Sequence, residues 1–182
     1  AKVPHVKILD LAVVFMVVLE SDCDKGFGTI LIHDVHLKFW DMTADDLYKL
    51  AKENMRNDFE IVSMVEVMKE VFENLTDEEL RASVLEPEVD MYVLTNCMKL
   101  HGAIGMLHTE LLNQFMQEKG FEKLIILPSS IHECLLVPYD DSMEEVDFEG
   151  MVKDANVTEL TPEEVLSDSA YIYDGSKLKI FE

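Results

Sequence analysis

Two hydroxyls, an imidazole and a carboxylate stand within five residues of one another at Ser129, Ser130, His132 and Glu133, in the string Pro128-Ser129-Ser130-Ile131-His132-Glu133. These are the ingredients of an activated nucleophile, in which a base takes the hydroxyl proton and an acid orients the base. Closeness in sequence is a poor guide to such a triad, whose members normally converge from distant segments. A nucleophile elbow would need G-x-S-x-G, which the chain does not contain. In the competing reading the serines satisfy the backbone of a connection, while His132 and Glu133 face solvent or cap a turn. Ser129, Ser130, His132 and Glu133 are therefore taken as binding candidates, and no residue is assigned as catalytic.

The other constellations are weaker. His33-Asp34-Val35-His36 puts two imidazoles three positions apart, and on a helix such a pair shares one face and could share a divalent ion. Zinc sites draw on three or four ligands, and H-E-x-x-H is absent. Cys23, Cys97 and Cys134 are odd in number and widely spaced, without C-x-x-C, so neither a disulfide framework nor a structural zinc site is expected. Neither a metal nor a cofactor is expected. Gly102 and Gly105, bracketed by His101 and His108, could let an anion approach a helix N-terminus, but no Gly-rich phosphate loop accompanies them. Gly26-Phe27-Gly28 reads as a turn. The acidic run Asp140 to Asp147 lacks the spacing of a calcium loop and reads as a solvated segment. Met64 and Met68 fall at core spacing, so the 11 methionines read as adaptable packing.

The elements that must position these residues follow from periodicity and punctuation. The apolar run Leu11 to Leu19, a turn-like Ser21 to Gly26 and the run Phe27 to Ile32 predict a hairpin. Thr43, with Asp45 and Asp46 behind it, predicts a capped helix through Leu47, Leu50, Ala51 and Met55. Ile61, Met64, Val65, Met68, Val71 and Phe72 outline one helix face. Thr76 to Glu79 is a capping box. Met91 to Thr95 predicts a strand, and Ala103 to Lys119 a helix stopped by Gly120. Leu124 to Leu127 and Cys134 to Val137 predict two short strands that flank the serine-histidine connection. A helix is expected near Phe148 to Asn156, and Thr161-Pro162-Glu163-Glu164 has the composition of another helix start. The chain closes on a hairpin, Ala170 to Tyr173 and Lys177 to Phe181, around Asp174-Gly175.

This order predicts an α+β fold: a mainly antiparallel sheet with several helices packed against it and a terminal β-hairpin. The segment Met91 to Leu127 leaves room for one parallel pair, which would make the sheet mixed. At 182 residues a single domain over 1–182 is expected.

Composition narrows the function. Asp and Glu number 37 against 15 Lys and Arg, a net charge of −22. Phosphate neutralisation needs clustered cations, so nucleic acid is not an expected partner. Anionic membrane surfaces are disfavoured for the same reason. The longest apolar run, Leu11 to Leu19, falls well short of the roughly 20 residues of a spanning helix. With no visible secretion signal and no cysteine framework, a reducing cytoplasm is the expected location.

Several strings carry a family resemblance: Val3-Pro4-His5, Leu9 to Phe15, Leu47-Tyr48-Lys49-Leu50-Ala51-Lys52-Glu53-Asn54, Met91 to Asn96, Ile126 to Glu133 and Glu163 to Asp168. The L-A-K-E-N and P-S-S-I-H-E strings are the most specific. Over essentially its whole length the chain resembles a bacterial domain-of-unknown-function family abundant in gut anaerobes. Members of that family carry further sequence before the V-P-H segment. The resemblance therefore implies that this chain is the C-terminal part of a longer protein, and it implies no activity and no catalytic residue. Two functions stand: a non-catalytic domain binding a protein partner or small ligand, with a homo-oligomer open to it, or a small hydrolase or transferase using Ser129 or Ser130 with His132 and Glu133. The lack of any recognised catalytic spacing favours the first.

Overall fold

The computed structural model describes residues 2–19, 28–72 and 90–182. The chain divides into two compact units, Ala1–Asp58 and Phe59–Glu182. The turn expected at Gly26-Phe27-Gly28 and the capping box at Thr76 to Glu79 involve residues outside those described.

In the first unit the long apolar run is split between two hairpins. Strand β1 (His5–Ile8) pairs antiparallel with β2 (Leu11–Val14), and β3 (Met16–Leu19) pairs with β4 (Gly28–Leu31). The break falls at Phe15, which is buried with Ile32 and Leu47 and accepts a 2.9 Å hydrogen bond from the Ile32 amide. Only the β3–β4 pairing is the one read from sequence. The β1–β2 turn is made by Leu9 and Asp10, with Leu9 at φ 55°, a position normally given to Gly or Asn. A leucine there sends no turn signal. Val17, Val18 and Leu19 of β3 and Ile30 and Leu31 of β4 are exposed. Helices α1 (Asp34–Trp40) and α2 (Ala44–Asn54) follow. Thr43 caps α2 as expected, its hydroxyl accepting from the Asp46 amide while the Asp46 carboxylate accepts from the Thr43 amide.

The second unit opens with a correction. Ile61 belongs to a strand, β5 (Phe59–Ser63), and only from Met64 does helix α3 (Met64–Val71) begin. Ser63 caps it, its Oγ accepting from the Glu66 amide at 3.3 Å. Ile61 pairs with Leu94 of β6 (Tyr92–Asn96), so strand pairing overrides the helical spacing of the apolar residues. The helix expected from Ala103 is a 3₁₀ turn (Gly102–Leu107) followed by α4 (Thr109–Lys119), with His108 between them accepting from the Leu111 amide through Nδ1. Gly120, at φ 76°, ends α4 as expected.

Strands β7 (Leu124–Pro128) and β8 (Cys134–Pro138) form a hairpin, helix α5 (Phe148–Thr158) follows, and β9 (Tyr171–Tyr173) and β10 (Leu178–Ile180) close the chain. The sheet order is β10-β9-β7-β8-β6-β5, and every pairing in it is antiparallel. The fold is α+β. The parallel pair allowed for Met91 to Leu127 does not form, because β8 inserts antiparallel between β6 and β7. Thr161 to Glu164 makes its capping contacts, yet it ends as a turn. A distant partner decides it: the Glu164 carbonyl accepts from the Ile131 amide at 2.9 Å, across to the β7–β8 connection. Around the central strands, Leu94, Leu124, Ile125, Ile126, Leu136, Tyr171 and Tyr173 are fully buried.

Candidate functional site

The serine-histidine string is the connection of the β7–β8 hairpin, and the two strands that carry it lie at the centre of the sheet. Its backbone is closed by the residues themselves. The Ser130 amide donates to the Glu133 carbonyl at 3.2 Å, and the Ser129 hydroxyl donates to the same carbonyl at 3.1 Å. The Ser130 Oγ accepts from the His132 amide at 2.9 Å, an ST-turn in which the side chain stands in for a backbone acceptor. Ser130 is accordingly buried, whereas Ser129, His132 and Glu133 are half-buried.

The second half of the site comes from the C-terminal end of β6. The Thr95 hydroxyl donates to the His132 carbonyl at 3.1 Å. Buried Asn96 closes the chain that leaves β6: its Nδ2 donates to the Leu100 carbonyl at 2.9 Å and its Oδ1 accepts from the Leu100 amide at 3.1 Å. The loop bends through Lys99 and His101, both at positive φ, and presents the His101 amide to His132 Nδ1 at 3.1 Å. That bond makes Nδ1 an acceptor and leaves the ring proton of a neutral His132 on Nε2. The two imidazoles lie 5.4 Å apart between centroids. Partial burial, and secondarily the neighbouring His132, hold the His101 pKa below its ordinary value. Glu164 sits below the usual carboxylate range, chiefly through its hydrogen bonds to Thr161 and slightly through His132.

Gly102 completes the junction. A Cβ on it would meet the Asn96 amide nitrogen, the His132 carbonyl oxygen and the Thr95 Oγ1, each at 2.7 Å. The glycine is there so that the 3₁₀ turn can press against both β6 and the connection.

The four candidate residues are thus brought together, but not as a triad. Ser129 reaches the Glu133 carboxylate at 3.4 Å, while the contact between Ser130 and His132 runs through the histidine backbone. Thr95 enters the site without any signal in its local sequence, because its bond to the His132 carbonyl spans two strands of the sheet, and Asn96 enters through a loop closure onto Leu100 that no motif announces. His101 and Gly102 are visible as a His-Gly pair, and the structure uses Gly102 for close packing and the His101 amide as a donor to His132.

The remaining constellations resolve as structure. His36 Nδ1 accepts from the His33 amide at 3.0 Å at the start of α1, and the His36 ring lies 5.6 Å from that of Trp40. No cluster of three or more His, Cys, Asp or Glu able to hold a metal occurs among the described residues. Asp140 caps a short turn through the Ser142 amide, and Asp147 caps α5 through Gly150. Cys134 is fully buried, and that burial, with Glu133 nearby, pushes its thiol pKa far up. No helix among the described residues is long and apolar enough to cross a membrane.

An antiparallel six-stranded sheet with a hydrogen-bonded histidine junction at the β7–β8 connection defines this α+β protein. The chain belongs to a family of unknown function (DUF5688), whose profile matches residues 1–175. No curated protein and no solved structure matches it.

Proposed function

We propose that the chain is a non-catalytic binding domain of the cytoplasm that meets a protein partner through the β7–β8 connection. His132 and Glu133 are the contact groups, and Ser129 and Ser130 are the internal braces. The observation that carries this reading is the use already made of the polar groups. The Ser129 hydroxyl and the His132 Nδ1 are spent on the chain's own backbone, and Ser130 Oγ is held by the His132 amide, so no hydroxyl is paired with an imidazole as a nucleophile with its base. The groups left to an incoming molecule are the His132 Nε2 proton and the Glu133 carboxylate. They stand on a connection fixed by two central strands, the arrangement in which loops make specific contacts. The cytoplasmic placement rests on cysteine usage.

The hydrolase alternative is separated by a reactive-serine test. A fluorophosphonate probe incubated with the native chain is expected to leave Ser129 and Ser130 unlabelled, and p-nitrophenyl acetate should hydrolyse at the protein-free rate. An adduct on either serine that disappears in His132→Gln would establish the nucleophile and overturn the binding reading.

A further inference from the structure

The loop that leaves β6 is tied to the β7–β8 connection through one imidazole nitrogen. His132 Nδ1 accepts from the His101 amide at 3.1 Å, and the two rings lie 5.4 Å apart between centroids. A neutral imidazole offers one acceptor nitrogen, whereas a protonated one has two donors and no acceptor. A charged His132 therefore has no nitrogen left for the His101 amide, and turning the ring over does not restore one. The backbone behind that bond is strained. Lys99 and His101 stand at φ 50° and 55°, in the left-handed region that non-glycine residues keep only where the surroundings enforce it. The connection is held elsewhere by bonds that do not titrate, from the Thr95 hydroxyl to the His132 carbonyl and from the Ile131 amide to the Glu164 carbonyl.

We propose that the His101–His132 junction is an acid-released latch: protonation of His132 frees the His101 amide and lets His101 leave its left-handed conformation, while the sheet stays paired. The Asn96 clamp on Leu100 confines the movement to His101 and the start of the 3₁₀ turn. Among the described residues, the charged groups around the pair are Glu164, Glu133 and Lys99. Glu164 interacts electrostatically with His132 from the turn beyond α5. Glu133 follows His132 in the connection, its carboxylate 3.4 Å from the Ser129 hydroxyl. Lys99 lies on the loop and is engaged in an interaction of its own. The latch does not depend on their balance, because what a proton removes is an acceptor. Partial burial, then the neighbouring His132, holds the His101 pKa below its ordinary value, so the fold favours the neutral ring. Stability from that ring is complete above the ordinary imidazole pKa and is lost as the pH falls below it. The inference concerns bonds within the chain and needs no partner, so it is tested apart from the contact role of the connection.

The test is amide hydrogen exchange of the full chain, read by NMR at about pH 7.5 and about pH 5.5, either side of the ordinary imidazole value. Each rate is corrected for its intrinsic pH dependence. Protection of the His101 amide is expected to fall about tenfold at the lower pH, in step with the titration of the His132 ring carbon signals. The Ile125 and Ile126 amides of the central strand should change by less than about twofold. His132→Asn places a side-chain oxygen near the position of Nδ1 and takes up no proton in this range. Its His101 amide should therefore keep its protection within about twofold between the two pH values. A parent chain whose His101 protection is the same at both pH values would overturn the proposal. So would an equal fall in His132→Asn, or a fall shared equally by Ile125 and Ile126, which would mean general destabilisation by acid.

Discussion

Gly102→Ala is expected to lower the unfolding midpoint of the Phe59–Glu182 unit by about 10 °C, or about 3 kcal/mol. The added methyl would sit 2.7 Å from two backbone atoms, the Asn96 nitrogen and the His132 oxygen, and 2.7 Å from the Thr95 hydroxyl oxygen. Neither backbone atom can swing aside like the end of a flexible side chain. Relief requires the 3₁₀ turn to withdraw from β6 or the β7–β8 connection to lift, and either movement breaks the His101-to-His132 bond. Gly120→Ala is the comparison. Its Cβ meets nothing within 4 Å, and its cost comes from φ 76° alone, about 1 kcal/mol. Thermal unfolding of the two variants beside the parent reads the difference. Equal losses would show that close packing is not what selects glycine at position 102.

Asn96→Ala should cost about 2–4 kcal/mol by denaturant titration, with an unchanged slope. The substitution removes little volume. It does strand both the amide and the carbonyl of Leu100, which Asn96 alone ties to the end of β6. Next to it Lys99 and His101 are held at positive φ, a conformation that non-glycine residues keep only where the surroundings enforce it. Loss of the Asn96 bridge therefore leaves the Leu100 amide and carbonyl without these partners, and relaxation of the positive-φ loop offsets only part of that cost. Asn96→Asp separates the parts, since its carboxylate can still accept from the Leu100 amide but cannot donate to the carbonyl. Its cost should equal or exceed that of alanine, because a buried carboxylate oxygen would then face the Leu100 carbonyl oxygen.

What the sequence revealed and what it hid have distinct causes. Local signals were sound where the chain's own neighbours decide the outcome. Thr43 and its carboxylate partner cap α2, Gly120 stops α4, and Asp174 with Gly175 turns the final hairpin, the Asp174 carboxylate accepting from the Ser176 and Lys177 amides. Lys179 and those hydrogen bonds hold the Asp174 carboxyl well below its usual range. Local signals misled where a distant partner decides. Ile61 keeps helical spacing with Met64 and Met68, yet its place beside Leu94 makes it a strand residue. Thr161 to Glu164 forms its cap, but the Glu164 carbonyl is drawn to Ile131 instead of continuing a helix. The turn at Leu9 and Asp10 had no glycine or asparagine to announce it.

The site shows the same division. The β7–β8 connection was legible because four chemically varied side chains fell between two apolar runs. The use made of those side chains was not, because it depends on Thr95 and His101, which bond to His132 from 37 and 31 positions upstream. Seen from the sequence alone, a serine beside a histidine suggests catalysis. With the pairing in place, the serines and the imidazole Nδ1 are braces of the connection.

The central claim is that this braced connection is a contact surface, and site-specific photo-crosslinking tests it most directly. A benzophenone amino acid placed at Ile131 of the full chain, expressed in its native host and irradiated, should give one discrete protein adduct. The same group at exposed Glu122, at the other end of β7, should give none, and adding His132→Ala to the position-131 chain should abolish the adduct while the fold persists by circular dichroism. The absence of any adduct at position 131, or an adduct that survives His132→Ala undiminished, would contradict a contact role for the connection.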